Sequence, residues 1–247
     1  MNTVAHPRLP ARRSAARATR WWGKAWVRAV EESAYAERDL AAGRVLARSG
    51  RVGQIATGEG SFVASVEDDD GLWTVSGTVP VLDAPSRDAL LETVAAEVGR
   101  LAALLSGDLP HDLVEHAEET GVELLPYGSE LQTTCTCAAW ADPCAHALAV
   151  LYQLTWLLEE DPFVLLHLRG LSRDDVVAGV FALQSHQPES AAADGQDGGQ
   201  NGEPDEGVDP QQDEDLDVAW DAALRAQRLL DVLDEEEREA PPPGHLF

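Results

Sequence analysis

Cationic side chains are scarce, and lysine is almost missing. Lys24 is the one lysine among 18 basic residues, which face 44 carboxylates for a formal net charge of −26. A surface this acidic repels phosphate at long range, which excludes wrapping of nucleic acid by the whole protein. The imbalance is uneven. Residues 1–51 hold 11 basic and 4 acidic side chains, a net of +7. Residues 52–187 carry a net of −18 and residues 188–247 a net of −15. Any phosphate contact therefore falls to the N-terminal segment.

Long apolar runs are missing too. The longest, Ala147 to Leu158, is interrupted by Gln153 and Thr155. Crossing a bilayer takes about 20 apolar residues, so no membrane span is expected. No apolar core with a small-residue cleavage site follows the N-terminal charges or Arg12-Arg13, so no export signal is expected. The lack of acids before Glu31 is also a composition found in mitochondrial presequences. Cysteine is limited to Cys135, Cys137 and Cys144, all within ten residues. A secreted disulfide scaffold spreads an even number of cysteines along the chain. Clustering beside a histidine points instead to a reducing, cytoplasmic setting and to a metal.

Hydrophobic residues make up 44% of the chain, enough for a sizeable core. Residues 1–19, rich in Arg, Ala and Pro, read as a mobile basic arm. Residues 20–187 read as a globular domain. From Arg20 a helix is expected, with Trp22, Trp26, Ala29 and Val30 on one side. A second spans Ala36 to Ser49 and stops at Gly50. The period then shortens. Val52 to Val81, with turns at Gly58-Glu59-Gly60 and Asp68-Asp69-Asp70-Gly71, reads as an antiparallel meander of about three strands.

Helices follow. One is expected from a Ser86 cap to about Leu105, and a shorter one from Leu109 to Thr120. His146 to Glu159 is apolar on nearly every side, the mark of a buried helix. Asp161-Pro162 opens another, closed by Gly170. Ser172 with Asp175 forms a capping-box-like pair that starts the last one. The fold class is therefore α+β: a small antiparallel meander followed by helices. Residues 188–213, almost without apolar side chains, read as a disordered acidic linker. Residues 214–247 read as an acidic amphipathic helix and tail, with Leu216, Trp220, Leu230 and Leu233 at helical spacing.

The chemistry concentrates at one place. Cys135, Cys137, Cys144 and His146 form a C-x-C-x6-C-x-H pattern. Two close pairs of soft ligands around a short loop can close a tetrahedron on zinc. Asp142-Pro143 turns the chain back, so that Cys144 and His146 meet the metal at the start of the buried helix. Four protein ligands leave no open position, which makes the expected ion structural rather than catalytic. The competing readings are buried cysteines without a metal, and a redox Cys-x-Cys pair.

This pattern resembles the SWIM-type zinc finger. Trp21-Trp22-Gly23 with Trp26, Gly43-Arg44 to Val52, Leu124-Leu125-Pro126, and Asp161-Pro162-Phe163 with Leu168-Arg169-Gly170 extend the likeness over about residues 20–175, to stand-alone SWIM proteins of actinobacteria. The resemblance implies a zinc knuckle feeding the buried helix, with one structural Zn2+ held by Cys135, Cys137, Cys144 and His146. SWIM modules occur in bacterial helicase-like ATPases, plant Mutator-type transposases and eukaryotic signalling and recombination proteins. The implied role is a non-catalytic interaction module, accessory to a DNA-acting helicase-like ATPase of the chromatin-remodeller type. No basic residue occurs between Arg100 and Arg169, which argues against phosphate contact by the finger itself.

The alternative is direct nucleic-acid binding through an N-terminal stripe of Arg13, Arg17, Arg20, Lys24 and Arg28. A helix with tryptophans in the core and arginines in water gives the same pattern. His111, His116 and His167 lie among carboxylates; His116 and Glu119 have an i,i+3 spacing that could hold a metal, but a solvated helix face is expected. Asp68 to Asp70 reads as a polar turn that could also take a cation. No phosphate loop, dinucleotide fingerprint or nucleophile motif occurs, so no enzymatic activity is expected.

Overall fold

The computed structural model describes residues 3–13 and 18–185. The expected linker 188–213, the expected tail 214–247 and Arg17 lie outside the described residues. In chain order the elements are β1 (Val4–His6), α1 (Trp21–Ser33), α2 (Glu37–Arg48), β2 (Val52–Gly58), β3 (Ser61–Glu67), β4 (Leu72–Thr78), α3 (Ala84–Ala95), α4 (Val98–Leu105), α5 (His111–Glu119), a 3-10 turn (Gly128–Glu130), β5 (Gln132–Cys135), α6 (Ala145–Glu160), α7 (Phe163–Leu168) and α8 (Arg173–Ser185). The class is α+β, as the periodicity implies. Among the described residues no helix is long and apolar enough to cross a membrane.

The sheet has five strands in the order β1-β2-β3-β4-β5, all antiparallel. The three-strand meander is its centre. Two short strands from distant sequence complete the edges. Val4–His6 pairs with Thr57–Ile55, so this part of the expected arm is an edge strand instead. His6 is fastened there by an imidazole contact of 3.0 Å to the buried Thr57 hydroxyl. At the other edge Gln132–Cys135 pairs with β4 and carries the first cysteine into place.

Strand alternation decides which face is covered. Ile55, Phe62, Ala64, Val66 and Val75 are buried, while Ser61, Val63, Thr74 and Ser76 between them are exposed. The covered face meets α6, which touches β2 to β5 and also α1 and α2. Every residue of α6 from Ala147 to Leu158 is buried, which explains its all-round apolar sequence. Gly43 sets how near α2 can come: a Cβ there would lie 2.7 Å from Leu148 Cβ. Trp22 and Trp26 donate their indole N–H groups to the carbonyls of Leu158 and Leu151, at 2.9 and 3.2 Å. These rings are large apolar anchors with a satisfied polar end.

The single helix expected from Ser86 to Leu105 is two helices. Asp83, not Ser86, is the cap: its carboxylate accepts from the Ser86 amide at 2.9 Å. The break falls at Ala96 and Glu97, where Glu97 is extended. Its cause is Arg100, only 3% exposed. The guanidinium donates to the Thr93 carbonyl at 2.8 Å and pairs with Glu97 at 2.7 Å and Asp112 at 2.9 Å. Arg100 therefore satisfies a carbonyl of the last turn of α3 that the helix no longer uses. Further on, Asp161 accepts from the Phe163 amide at 2.9 Å, and Ser172 and Asp175 bond each other's amides at 3.1 Å, as the capping patterns predict.

Candidate metal centre

Each arm of the C-x-C-x6-C-x-H pattern is held by a different element. Cys135 ends β5 opposite Val75. Thr136 continues the ladder: its amide donates to the Thr74 carbonyl and its hydroxyl accepts from the Thr74 amide, both at 3.0 Å. Cys135 and Cys137 thus flank a residue fixed to β4. The loop returns through a cis Asp142-Pro143 bond, with Asp142 accepting from the Thr133 hydroxyl at 2.6 Å. Cys144 stands at the N-cap of α6 and His146 in its first turn. Thiolate charge is favoured at this positive helix end.

The four ligand atoms lie within 4.8 Å of one another. Cys137 Sγ is 3.6 Å from Cys144 Sγ, and His146 Nδ1 is 3.9 Å from both Cys135 Sγ and Cys144 Sγ. Zinc–sulfur bonds of about 2.3 Å and a zinc–nitrogen bond of about 2.0–2.1 Å set tetrahedral ligand atoms about 3.5–3.8 Å apart. The residues fit one zinc ion with a Cys3His donor set. Cys144 is buried and the other three ligands are half-buried.

The thiol energetics show what the cation must overcome. Burial pushes the Cys135 thiol up to about 12 and raises Cys144 as well. Burial also opposes the Cys137 thiolate. There the Ala139 amide, His146 and the neighbouring thiols outweigh it and bring that thiol down to about 7. A bound zinc ion reverses the penalty and takes coordinating thiols as thiolates.

A fifth residue completes the centre. With Nδ1 turned to the sulfurs, His146 presents Nε2–H to Asp68 Oδ2 at 2.8 Å. Carboxylate partners of this kind fix the tautomer and ring orientation of a metal-binding histidine. The other oxygen, Asp68 Oδ1, accepts from Trp73 Nε1 at 3.0 Å and from the Asp70 and Gly71 amides at 2.9 Å each. The Trp73 indole, with help from His146 and the two amides, holds the Asp68 carboxyl down to about 2. The Asp68-Asp69-Asp70-Gly71 stretch is the polar turn expected, but its first carboxylate serves the knuckle. The sequence signal was weak, an acidic hairpin tip, because only the β4–β5 pairing brings that tip to His146.

The N-terminal cationic stripe is differently placed. Arg20 pairs with Asp108 at 3.0 Å, and Arg28 with Glu32 at 2.8 Å. Arg13 is exposed, and Lys24 lines a groove between α1 and α2. The histidines expected on solvated helix faces divide. His111 and His116 are both exposed on α5, His111 pairing with Glu115 at 3.2 Å and His116 Nδ1 lying 3.2 Å from the Arg100 guanidinium. His167 is buried.

Comparison with known proteins agrees with this geometry. Residues 120–154 match the profile of the SWIM zinc finger, a span that runs from the end of α5 through all four ligands into α6. The uncharacterized protein Rv2102 of Mycobacterium tuberculosis (strain ATCC 25618 / H37Rv) is 29% identical over 174 residues, which cover 70% of this chain and 62% of that protein. The match thus spans less than two thirds of the mycobacterial protein. No solved structure matches. With ligand spacing, ligand geometry and profile in agreement, the chain carries a SWIM zinc finger whose Cys3His site takes one structural zinc ion.

Proposed function

We propose that this chain is a non-catalytic, zinc-organised interaction module of a reducing, cytoplasmic compartment, accessory to a helicase-like ATPase that acts on DNA. The observation that carries the reading is an aromatic pair beside the knuckle. Trp140, in the loop between the ligand pairs, and Tyr35, between α1 and α2, are 72% and 74% exposed. Their rings meet edge to face at 5.0 Å. Large exposed aromatics on a rigid support are what protein interfaces use as anchors. The knuckle supplies that support, since zinc closes the loop that carries Trp140.

A full tetrahedral donor set leaves zinc no position for water or substrate, which supports a structural rather than catalytic role. The carboxylate partners of Arg20 and Arg28 favour a protein partner over direct phosphate contact. The test is mass spectrometry of proteins co-purifying with the tagged native chain, with nuclease treatment before elution. A single ATPase that persists through nuclease and is lost with Trp140→Ala supports the proposal. Partners that vanish with the nucleic acid shift the function to the basic N-terminal segment.

A further inference from the structure

A groove of about 580 Å³ opens between α1 and α2 and is floored by the Tyr152–Trp156 part of α6. Its volume falls within the roughly 300–1,000 Å³ typical of small-ligand sites. Val27, Ala47 and the rings of Tyr152 and Trp156 give it an apolar wall. Its charge is opposite to that of the protein as a whole. Lys24 and Arg48 line it and pair with no carboxylate among the described residues, while Glu31 is held by Arg44 at 2.6 Å. A further cation adjoins it, because the Arg12 guanidinium stacks 4.2 Å from the Trp156 ring centre. On a chain of net charge −26 this is a local reversal of sign.

The Tyr152 hydroxyl is buried beside the Arg44 guanidinium, whose carbon lies 5.6 Å from the Tyr152 ring centre.

We propose that this groove binds a small organic phosphate of mononucleotide size, with the phosphate between Lys24 and Arg48 and the planar body on the Val27–Trp156 wall. The site is separate from the zinc knuckle and independent of the interaction proposed for it. The mixed lining defines the class. Inorganic phosphate engages the cations but leaves the apolar wall bare. A nucleoside covers the wall but leaves the cations unpaired. Only a ligand with both parts uses both.

The test is calorimetric titration of the zinc-loaded full chain with adenosine 5′-monophosphate, adenosine and inorganic phosphate in turn. The expected result is one saturable site for the monophosphate, with adenosine and phosphate each weaker by about tenfold or more, since hydrogen bonds to charged groups contribute on that scale. The Lys24→Gln, Arg48→Gln double variant loses about tenfold or more of the affinity on the same scale, with zinc content and thermal midpoint kept. Three outcomes overturn the proposal: no saturable binding at millimolar monophosphate, equal affinity in the double variant, or binding of single-stranded DNA alone through these cations.

Discussion

Asp68 and His146 stand 78 residues apart and meet at 2.8 Å, carboxylate to imidazole Nε2–H. Through this contact the β3–β4 turn orients a zinc ligand on α6. The knuckle is therefore a joint between sheet and helix rather than a loop appended to either. The relationship makes a clear prediction. Asp68→Asn keeps the shape but loses the charge, and should weaken zinc binding about 10- to 100-fold, as loss of a metal ligand's supporting group does elsewhere. Competition with a chromophoric chelator measures this. An unchanged zinc affinity would show that the carboxylate has no part in holding the metal.

Zinc removal should lower stability more than loss of any single surface contact. Cys144 is both a ligand and the N-cap of α6, the helix that contacts four of the strands and both α1 and α2. Cys144→Ser should lose the metal and show a lower thermal midpoint, because binding free energy at a structural zinc site is folding free energy. Chelator treatment of the native chain should reproduce the shift, and added zinc should reverse it. Circular dichroism melting follows all three.

Zinc affinity should rise with pH. Three thiolates and a neutral imidazole bind the metal, and protons compete for the same atoms. Burial holds the Cys135 thiol up at about 12 and raises Cys144, so both are protonated at neutral pH, while Cys137, at about 7, is partly ionised. Binding at neutral pH should then release about two to three protons, which calorimetry in buffers of different ionisation enthalpy counts. Asp68 works at the acid end. Its carboxyl is depressed to about 2, so its contribution is present above the ordinary carboxylate range and disappears as pH falls toward 2.

Arg100 is a structural arginine. It joins Thr93, Glu97 and Asp112 from a buried position at the α3–α4 break. Its carboxylate partners are about half exposed and regain water if the cation is removed. Arg100→Met should therefore cost about 1–3 kcal/mol, less than the loss of a fully buried ion pair. Chemical denaturation with zinc held saturating measures the difference.

Trp140→Ala and Tyr35→Ala should change stability by no more than about 0.5 kcal/mol, the usual range for exposed positions. They should abolish capture of the partner. A variant that retains its zinc and its melting temperature but loses the partner separates recognition from folding.

The helices of the core were legible because their apolar residues repeat with one period. Trp22, Trp26, Ala29 and Val30 are buried together as the spacing implies. The four zinc ligands were legible because they are the soft side chains of one short segment. What the sequence concealed depends on long-range pairing. Val4–His6 is too short to show an alternation, and its place is set by β2. The break at Ala96 and Glu97 hid inside a continuous leucine pattern, because a buried guanidinium terminates α3 where no glycine or proline does. Asp68 looked like any acidic turn residue until β5 paired with β4.

Native mass spectrometry of the full chain counts the zinc ions that the knuckle holds. One zinc ion per chain is expected in the native protein, and none in Cys144→Ser, whose charge-state distribution should widen as the segment loses its structure. A native protein that holds no zinc and keeps the same compact charge-state distribution with and without Cys144 would contradict that expectation.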